Sequence, residues 1–161
     1  MVRVGFGTDS HSFEKARKKP LVLGGVALGD SGGLSANSDG DVILHALFNA
    51  LSQACGGHSL GHYADPLCER GVVDSREYLK VALEMVKRIG CAVCNVGIMV
   101  EAKRPYVTIE QCERMKRSIA ESLQIAETDV GITFTSGEGL TAFGKGEGVL
   151  AQAVVSLEEA P

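Results

Sequence analysis

The segment SDGDVILHALFNALSQA (residues 38–54) combines a helix start with two faces of different composition. Ser38 or Asp39 is suited to cap this helix, and the glycine pair at 56–57 is suited to end it. Apolar residues recur at helical spacing on one face, and these are Ile43, Ala46, Leu47, Ala50, Leu51 and Ala54. A different face carries Asp41, His45 and Asn49, spaced by four. The pattern predicts a helix to about residue 55 that packs on a core and presents polar groups elsewhere.

Apolar segments on either side of this helix predict β-strands. They lie at residues 2–7, 21–28, 93–100, 130–135 and 149–157, and a glycine pair interrupts the second of them, which is a strand or a hairpin. The strands and helices mix without strict βαβ alternation, so the sequence favours an α+β fold. We expect one mixed β-sheet with helices packed on it, in a single domain that spans residues 1–161.

Two further segments have the pattern of amphipathic helices. The first opens at Asp74-Ser75-Arg76-Glu77, which has capping-box character, and ends at Gly90. The second follows Thr108 and Gln111, another capping box, and its predicted buried stripe is Ile109, Cys112, Met115, Ile119 and Leu123. Glycine-rich loops are predicted at residues 29–37 and 137–148.

Composition limits the classes of protein to which the chain can belong. Its 161 residues are 45% hydrophobic and 22% charged, which is enough apolar material for one core. The net charge is −4, and the densest basic cluster, Lys15 to Lys19 with Arg17, is close to Glu14, so nucleic acid is not an expected partner. We expect a cytoplasmic protein with no membrane span, because no signal or sufficiently long apolar segment is visible. Five scattered cysteines do not form a disulfide framework, and the pair Cys91 and Cys94 has no second pair beside it.

Asp9, His11 and His45 are candidate metal ligands. Residues two apart in an extended segment point to the same side, so Asp9 and His11 can converge on one ion. His45 would reach the same ion from the polar face of the helix. One carboxylate and two imidazoles suit Zn²⁺ with an open fourth position. By spacing alone, a capping aspartate and structural histidines explain these residues as well.

Two further segments are candidate phosphate sites. Asn37, Ser38 and Asp39 precede a helix, where unpaired N–H groups and the helix dipole favour an anion, although ordinary capping explains them equally. The glycine-rich loop after Thr135 and Ser136 lets the backbone approach a ligand, and Glu138 could hold Mg²⁺. A flexible hairpin connection is the alternative for that loop.

Ordered blocks of sequence span nearly the whole chain. They are GFGTDSH at 5–11, LGGV at 23–26, SDGDVILHAL at 38–47, DSR at 74–76, CNV at 94–96 and GKGEG at 144–148. Taken in order, these blocks resemble the 2-C-methyl-D-erythritol 2,4-cyclodiphosphate synthase family. The long block around His45 and the GKGEG block are the specific ones, whereas the glycine pair alone is not.

This resemblance implies a homotrimer with active sites between neighbouring subunits. It implies Zn²⁺, or Mn²⁺ or Co²⁺, at Asp9, His11 and His45, and a second ion, Mg²⁺ or Mn²⁺, at Glu138 with the substrate phosphates. The substrate would be a cytidine-diphosphate-linked methylerythritol 2-phosphate, whose 2-phosphate attacks the β-phosphorus and expels CMP. An isoprenoid diphosphate on the trimer axis is a further ligand that the resemblance allows.

The resemblance also assigns roles by position. Asn37, Ser38 and Ser136 would contact phosphate or stabilise the transition state, with Asn37 and Ser136 in catalytic roles. Tyr63 and Asp65 would lie near the methylerythritol, the segment from Ala102 to Tyr106 near the cytidine, and Lys145 near the trimer axis. The full expected substrate-binding set is Asp9, Ser10, His11, Asn37, Ser38, Tyr63, Asp65, Ala102, Pro105, Tyr106, Thr135, Ser136, Gly137, Glu138, Ala142 and Lys145.

The chain departs from the family pattern at three places. Asn37 stands where the family usually has histidine, and Tyr106 stands where it usually has lysine. The expected Gly-Asp-x-Gly after the first helix is replaced by residues 57–61, GHSLG. A non-catalytic homologue that binds zinc and a diphosphate is therefore an alternative to the cyclase, and a zinc phosphoesterase is a third interpretation.

Overall fold

The computed structural model describes residues 1–16, 18–29 and 32–160, and the strands and helices within them follow one another in a mixed order. The strands are β1 (Arg3–Ser12), β2 (Leu21–Leu23), β3 (Val26–Gly29), β4 (Cys91–Glu101), β5 (Val130–Thr135) and β6 (Gly148–Glu159). The helices are α1 (Val42–Ala54), α2 (Leu60–Cys68), α3 (Ser75–Arg88) and α4 (Ile109–Leu123). Arg17 of the basic cluster, and residues 30 and 31 of the predicted loop, lie outside the described ranges.

Four strands form one sheet in the order β1-β6-β4-β5. The pairs β1–β6 and β6–β4 are antiparallel, whereas β4–β5 is parallel. The predicted glycine-interrupted strand is the hairpin β2–β3. The α+β prediction, with a mixed sheet and packed helices, is therefore confirmed. None of the helices in the described ranges has both the length and the apolar character that a membrane span requires.

Helix α1 lies directly against β1 because two glycines leave room for it. A Cβ atom on Gly5 would lie 2.0 Å from the carbonyl oxygen of Ala50, and one on Gly7 would lie 2.1 Å from that of Ala46. Both distances are far below van der Waals contact, so any side chain at either position would push the helix off the strand. The close approach brings the α1 face that carries His45 against the continuation of β1.

The two faces of the sheet differ in what covers them. Three helices pack on one face: α1 lies over β1 and β6, α3 lies over β4, and α4 lies over β5. On the other face Phe6, Met99 and Val154 remain 46%, 43% and 46% exposed, beside a groove of about 390 Å³. Neighbouring apolar side chains at this level of exposure indicate a surface suited to association.

Helix α1 begins later than the sequence predicted, because Asp41 rather than Ser38 or Asp39 is its N-cap. The Asp41 carboxylate accepts hydrogen bonds from the N–H groups of Ile43 and Leu44, each at 3.1 Å. It also accepts from the N–H groups of Gly24 and Gly25 in the β2–β3 turn, at 2.9 and 2.6 Å. Asp41 is fully buried, so it joins the hairpin to α1 instead of presenting a polar face.

We expect Asp41→Ala to lower the free energy of unfolding by about 3 kcal/mol, because it removes a helix cap and leaves the N–H groups of Gly24, which is buried, and of Gly25, which is partly buried, without their partner. Urea unfolding followed by circular dichroism measures the change. Thr108→Ala removes the exposed cap of α4, which Gln111 shares, and should cost only about 1 kcal/mol. Equal losses in the two variants would contradict the joining role of Asp41.

Helix α2 and the first turn of α4 were not predicted correctly. Residues 60–68 carry an internal Pro66 and several polar residues, so their sequence lacks a recognisable helical stripe. In α4 the residues Met115, Ile119 and Leu123 are buried and Cys112 is partly buried, as predicted, but Ile109 is 84% exposed. The capping box of Thr108 and Gln111 is present, so the α4 start is right and its buried stripe begins one turn later.

Candidate metal centre and its cavity

Strand β1 and helix α1 together bring Asp9, His11 and His45 into one group. Strand alternation places Asp9 and His11 on the face of β1 that Gly5 and Gly7 turn toward α1. The Asp9 Oδ2 atom lies 2.9 Å from His45 Nδ1 and 3.1 Å from His11 Nε2. The two imidazole nitrogens are 3.4 Å apart. Strand β1 runs on to Ser12, so Asp9 and His11 lie within the strand rather than beyond its end.

The three side chains have the donor chemistry of a divalent metal site. One atom from each, a carboxylate oxygen and two imidazole nitrogens, lies within 4.8 Å of the others. Burial raises the pKa of Asp9, but the hydrogen bonds and charges of His11 and His45 outweigh burial and lower this pKa to about 2. Asp9 is therefore an anionic ligand at neutral pH, and the predicted group could hold a metal ion of intermediate softness.

The His45 ring has polar contacts on the side away from Asp9 as well as on the side that faces it. Its Nε2 atom lies 2.9 Å from Ser75 Oγ at the start of α3 and 3.2 Å from Ser38 Oγ. His45 and Ser75 are both buried, so bulk water cannot readily replace either contact. The sequence analysis placed Ser75 in a helix start and in the DSR block of the family resemblance, but neither pattern predicted its contact with His45.

A cavity of about 420 Å³ opens beside the three candidate ligands. Of the residues predicted to contact substrate, Asn37, Ser38 and Asp65 line it together with Asp9 and His11. Its lining also contains residues that the sequence did not single out for the site: Ala36, Asn49, Ser59, Leu60, Gly61, Ala64, Cys68 and Tyr78. The cavity has the size of a small-ligand site.

Ser10 and Tyr63, which are neighbours of cavity residues in the sequence, are not part of this cavity's lining. Ser10 points to the opposite face of β1 from Asp9 and His11 and is exposed. The Tyr63 ring packs 5.4 Å from the ring of Phe48, and its hydroxyl accepts a hydrogen bond from the His58 N–H group at 3.2 Å. Asn49 lines the cavity instead. Its side-chain NH₂ group donates to the Thr8 carbonyl, and its side-chain oxygen accepts from the Leu60 N–H group.

The other predicted site residues gather at one end of β4 and β5. The Ala102 N–H group donates to the Thr135 carbonyl at 3.0 Å, and Ser136 Oγ lies 3.2 Å from Glu138 Oε1. Glu138 is exposed and has a left-handed backbone, with φ of 51°. The remaining members of this group, which we call the Glu138 group, are Pro105, Tyr106, Gly137, Ala142 and Lys145.

The end of β5, where Thr135 of the Glu138 group lies, is far from the metal ligands within one chain. Ser10, Leu150, Glu101 and Thr135 lie side by side across the four strands in the order β1, β6, β4 and β5. Three strand spacings separate β1 from β5, which corresponds to about 14 Å. Asp9 and the end of β5 are therefore on opposite edges of the sheet.

The fold and this site together define a small α+β protein with a carboxylate–dihistidine centre beside a ligand-sized cavity. A family model described as the YgbB family matches residues 2–158, so the chain belongs to the YgbB family. The resemblance drawn from the sequence blocks is thereby confirmed.

Named relatives agree with this assignment. A 2-C-methyl-D-erythritol 2,4-cyclodiphosphate synthase of Chlamydia caviae is 42% identical over 159 residues, which cover 98% of this chain and 89% of the relative. The bifunctional IspDF of Campylobacter jejuni is similar with a TM-score of 0.89 and 32% identity, over 99% of this chain. This chain spans only 43% of that larger protein. A 2C-methyl-D-erythritol-2,4-cyclodiphosphate synthase solved with CDP has a TM-score of 0.84 and 32% identity, over 97% of this chain and all of that one.

Proposed function

We propose that the chain converts 4-diphosphocytidyl-2-C-methyl-D-erythritol 2-phosphate to 2-C-methyl-D-erythritol 2,4-cyclodiphosphate and CMP, in the methylerythritol phosphate pathway of isoprenoid synthesis. The observation that carries the proposal is the group of Asp9, His11 and His45 beside a cavity of about 420 Å³. It occurs in a chain whose relatives are named for this synthesis at 42% identity over nearly their whole length. The enzyme would be a cyclising phosphorus–oxygen lyase.

The reaction needs alignment and charge neutralisation more than proton transfer. An oxygen of the substrate 2-phosphate attacks the β-phosphorus, and the bond from that phosphorus to the oxygen bridging to the α-phosphate breaks. CMP leaves with the electron pair of that bond, so atoms and charge balance without another reactant. A divalent ion at Asp9, His11 and His45, such as Zn²⁺, Mn²⁺ or Co²⁺, would supply neutralisation of the phosphate charge.

The side chains around the cavity provide orientation in this scheme. Asn37 is exposed at the cavity and can donate its amide N–H groups to a phosphate oxygen, as the usual histidine would. Ser38 follows Asn37 in the chain, and its hydroxyl lies 3.2 Å from His45 Nε2. Asp65 lines the same cavity and can accept hydrogen bonds from the methylerythritol hydroxyls. Hydrogen bonds aimed in advance at the reacting phosphates would lower the barrier by holding them in line.

We also propose a homotrimer in which one copy supplies the metal ligands and its neighbour supplies the Glu138 group. The separation of about 14 Å between β1 and β5 within one chain supports this arrangement, because three strand spacings keep Thr135 away from Asp9 and His11. The half-exposed Phe6, Met99 and Val154 would be covered in such an assembly. The groove of about 390 Å³ on that face would then accept an isoprenoid diphosphate on the trimer axis.

The nucleotide half of the substrate would lie against the Glu138 group. The similar synthase solved with CDP supports a nucleotide diphosphate as the ligand. Ala102, Pro105 and Tyr106 would lie near the cytidine, and Thr135, Ser136 and Gly137 near the diphosphate. Glu138 would hold a second divalent ion, Mg²⁺ or Mn²⁺, because an exposed carboxylate is a hard oxygen ligand.

A direct assay tests the reaction. The zinc-loaded protein is incubated with the cytidine-linked methylerythritol 2-phosphate, CMP is measured by chromatography and the product by phosphorus NMR. We expect equal amounts of CMP and cyclic diphosphate. Release of inorganic phosphate would instead identify a phosphoesterase. Tight CDP binding without CMP release would favour a non-catalytic homologue, with Asn37 and Tyr106 as the residues responsible.

A further inference from the structure

The side of His45 away from Asp9 faces a serine and a carboxylate that the proposed reaction does not use. His45 Nε2 lies 2.9 Å from Ser75 Oγ. The same Ser75 hydroxyl forms a short hydrogen bond to Asp39 Oδ1. A continuous chain of polar contacts thus runs from His45 through Ser75 to Asp39. Asp39 lies 36 residues before Ser75 in the sequence.

The contacts of this chain fix how the His45 ring is turned. The Ser75 hydroxyl donates its one proton to the Asp39 carboxylate, and its oxygen is left to face His45 Nε2. With Nε2 held on this side, Nδ1 is directed at Asp9 Oδ2 and His11 Nε2, where a metal ion would bind.

Asp39 is itself held in place, so the chain is not a loose surface contact. The backbone N–H group of Ser75 donates to Asp39 Oδ2 at 3.0 Å. The backbone N–H group of Asp41 donates to Asp39 Oδ1 at 3.1 Å. The N–H group of Asp39 itself donates to the Val73 carbonyl at 2.8 Å. Ser75 is 1% exposed, so water cannot readily replace its hydroxyl.

We propose that Ser75 and Asp39 are positioning residues that hold the His45 ring with Nδ1 directed at the divalent metal. The inference rests on the metal site of the proposed function and adds two residues that hold its geometry. Outer partners of metal-binding histidines fix the ring orientation and raise the basicity of the ligand nitrogen. This role would explain Ser75 of the DSR block and Asp39 of the block that begins at Ser38.

The test measures zinc affinity in Ser75→Ala and Asp39→Asn, by competition with a fluorescent zinc chelator. We expect the affinity for zinc to fall about 10- to 100-fold in each variant. Ser75→Thr keeps the hydroxyl and should retain zinc affinity more closely than Ser75→Ala.

Ser122→Ala is the matched control, because it removes another partly buried helix hydroxyl, one that bonds to the Ser118 carbonyl far from the site. Circular dichroism verifies that each variant is folded. Unchanged zinc affinity in both Ser75→Ala and Asp39→Asn would overturn the positioning role. Absence of zinc binding in the unaltered protein would overturn the metal site of the proposed function, and the positioning role with it.

Discussion

Replacement of His45 with alanine is expected to remove the bound metal and to lower turnover on the order of 10³-fold. The imidazole supplies one of three ligand atoms that lie within 4.8 Å of one another, and Asp9 and His11 alone leave a weak, incomplete site. Loss of the ion forfeits several kcal/mol of charge stabilisation in the transition state, and each 1.36 kcal/mol is a factor of about ten in rate. Metal content by elemental analysis and CMP release measure the two effects.

His58→Ala is the control for this experiment, because its ring is exposed and is not part of the cavity lining. It should retain zinc and turnover. The His45→Ala protein must also remain folded by circular dichroism, since His45 is 5% exposed and its truncation leaves a small void beside Ser75. Normal zinc content together with normal turnover in His45→Ala would show that the ligand assignment is wrong.

Two inactive variants should restore activity to each other when they assemble together. His45→Ala lacks a metal ligand but keeps Glu138, and Glu138→Ala lacks the second carboxylate but keeps Asp9, His11 and His45. If each site joins the metal ligands of one copy to the Glu138 group of its neighbour, random mixing at equal amounts leaves about a quarter of the sites intact. Coexpression should therefore give about a quarter of the unaltered turnover, from two proteins that are each nearly inactive.

The matched control mixes His45→Ala with His11→Ala. Both changes fall on the metal-ligand half of the site, so no copy carries an intact set of metal ligands and no activity should return. Sedimentation equilibrium should give three times the 16.9 kDa of the chain for every sample. Mixed trimers without recovered turnover would place the complete site within one chain, or would show that Glu138 is not needed.

The sequence anticipated the parts of the structure that depend on local pattern. The apolar repeat of α1, the capping box at Thr108 and the glycine-interrupted hairpin are each read from neighbours in the chain, and all three are present. The approach of Asp9, His11 and His45 came from strand alternation combined with the family resemblance. Spacing alone left a structural explanation open, because 34 residues separate His11 from His45.

The parts that the sequence missed depend on contacts between distant segments. Asp41 becomes the cap of α1 because the hairpin turn at Gly24 and Gly25 presents two N–H groups to it. The Ser75 contact to His45 joins residues 30 positions apart, and nothing in either segment marks the other as its partner. Helix α2 forms around Pro66 although its sequence has no clear stripe, and the anchor at its start is Asn49 of another helix.

The close contact between β1 and α1 has a consequence for how this protein tolerates mutation. Gly5 and Gly7 carry no side chain and are not among the candidate metal ligands, yet a single added methyl group at either would collide with a backbone carbonyl of α1. Lifting the helix by even 1 Å would separate His45 from Asp9, to which it is now 2.9 Å away. A random-mutagenesis screen for lost turnover should therefore return these two glycines as often as the metal ligands themselves.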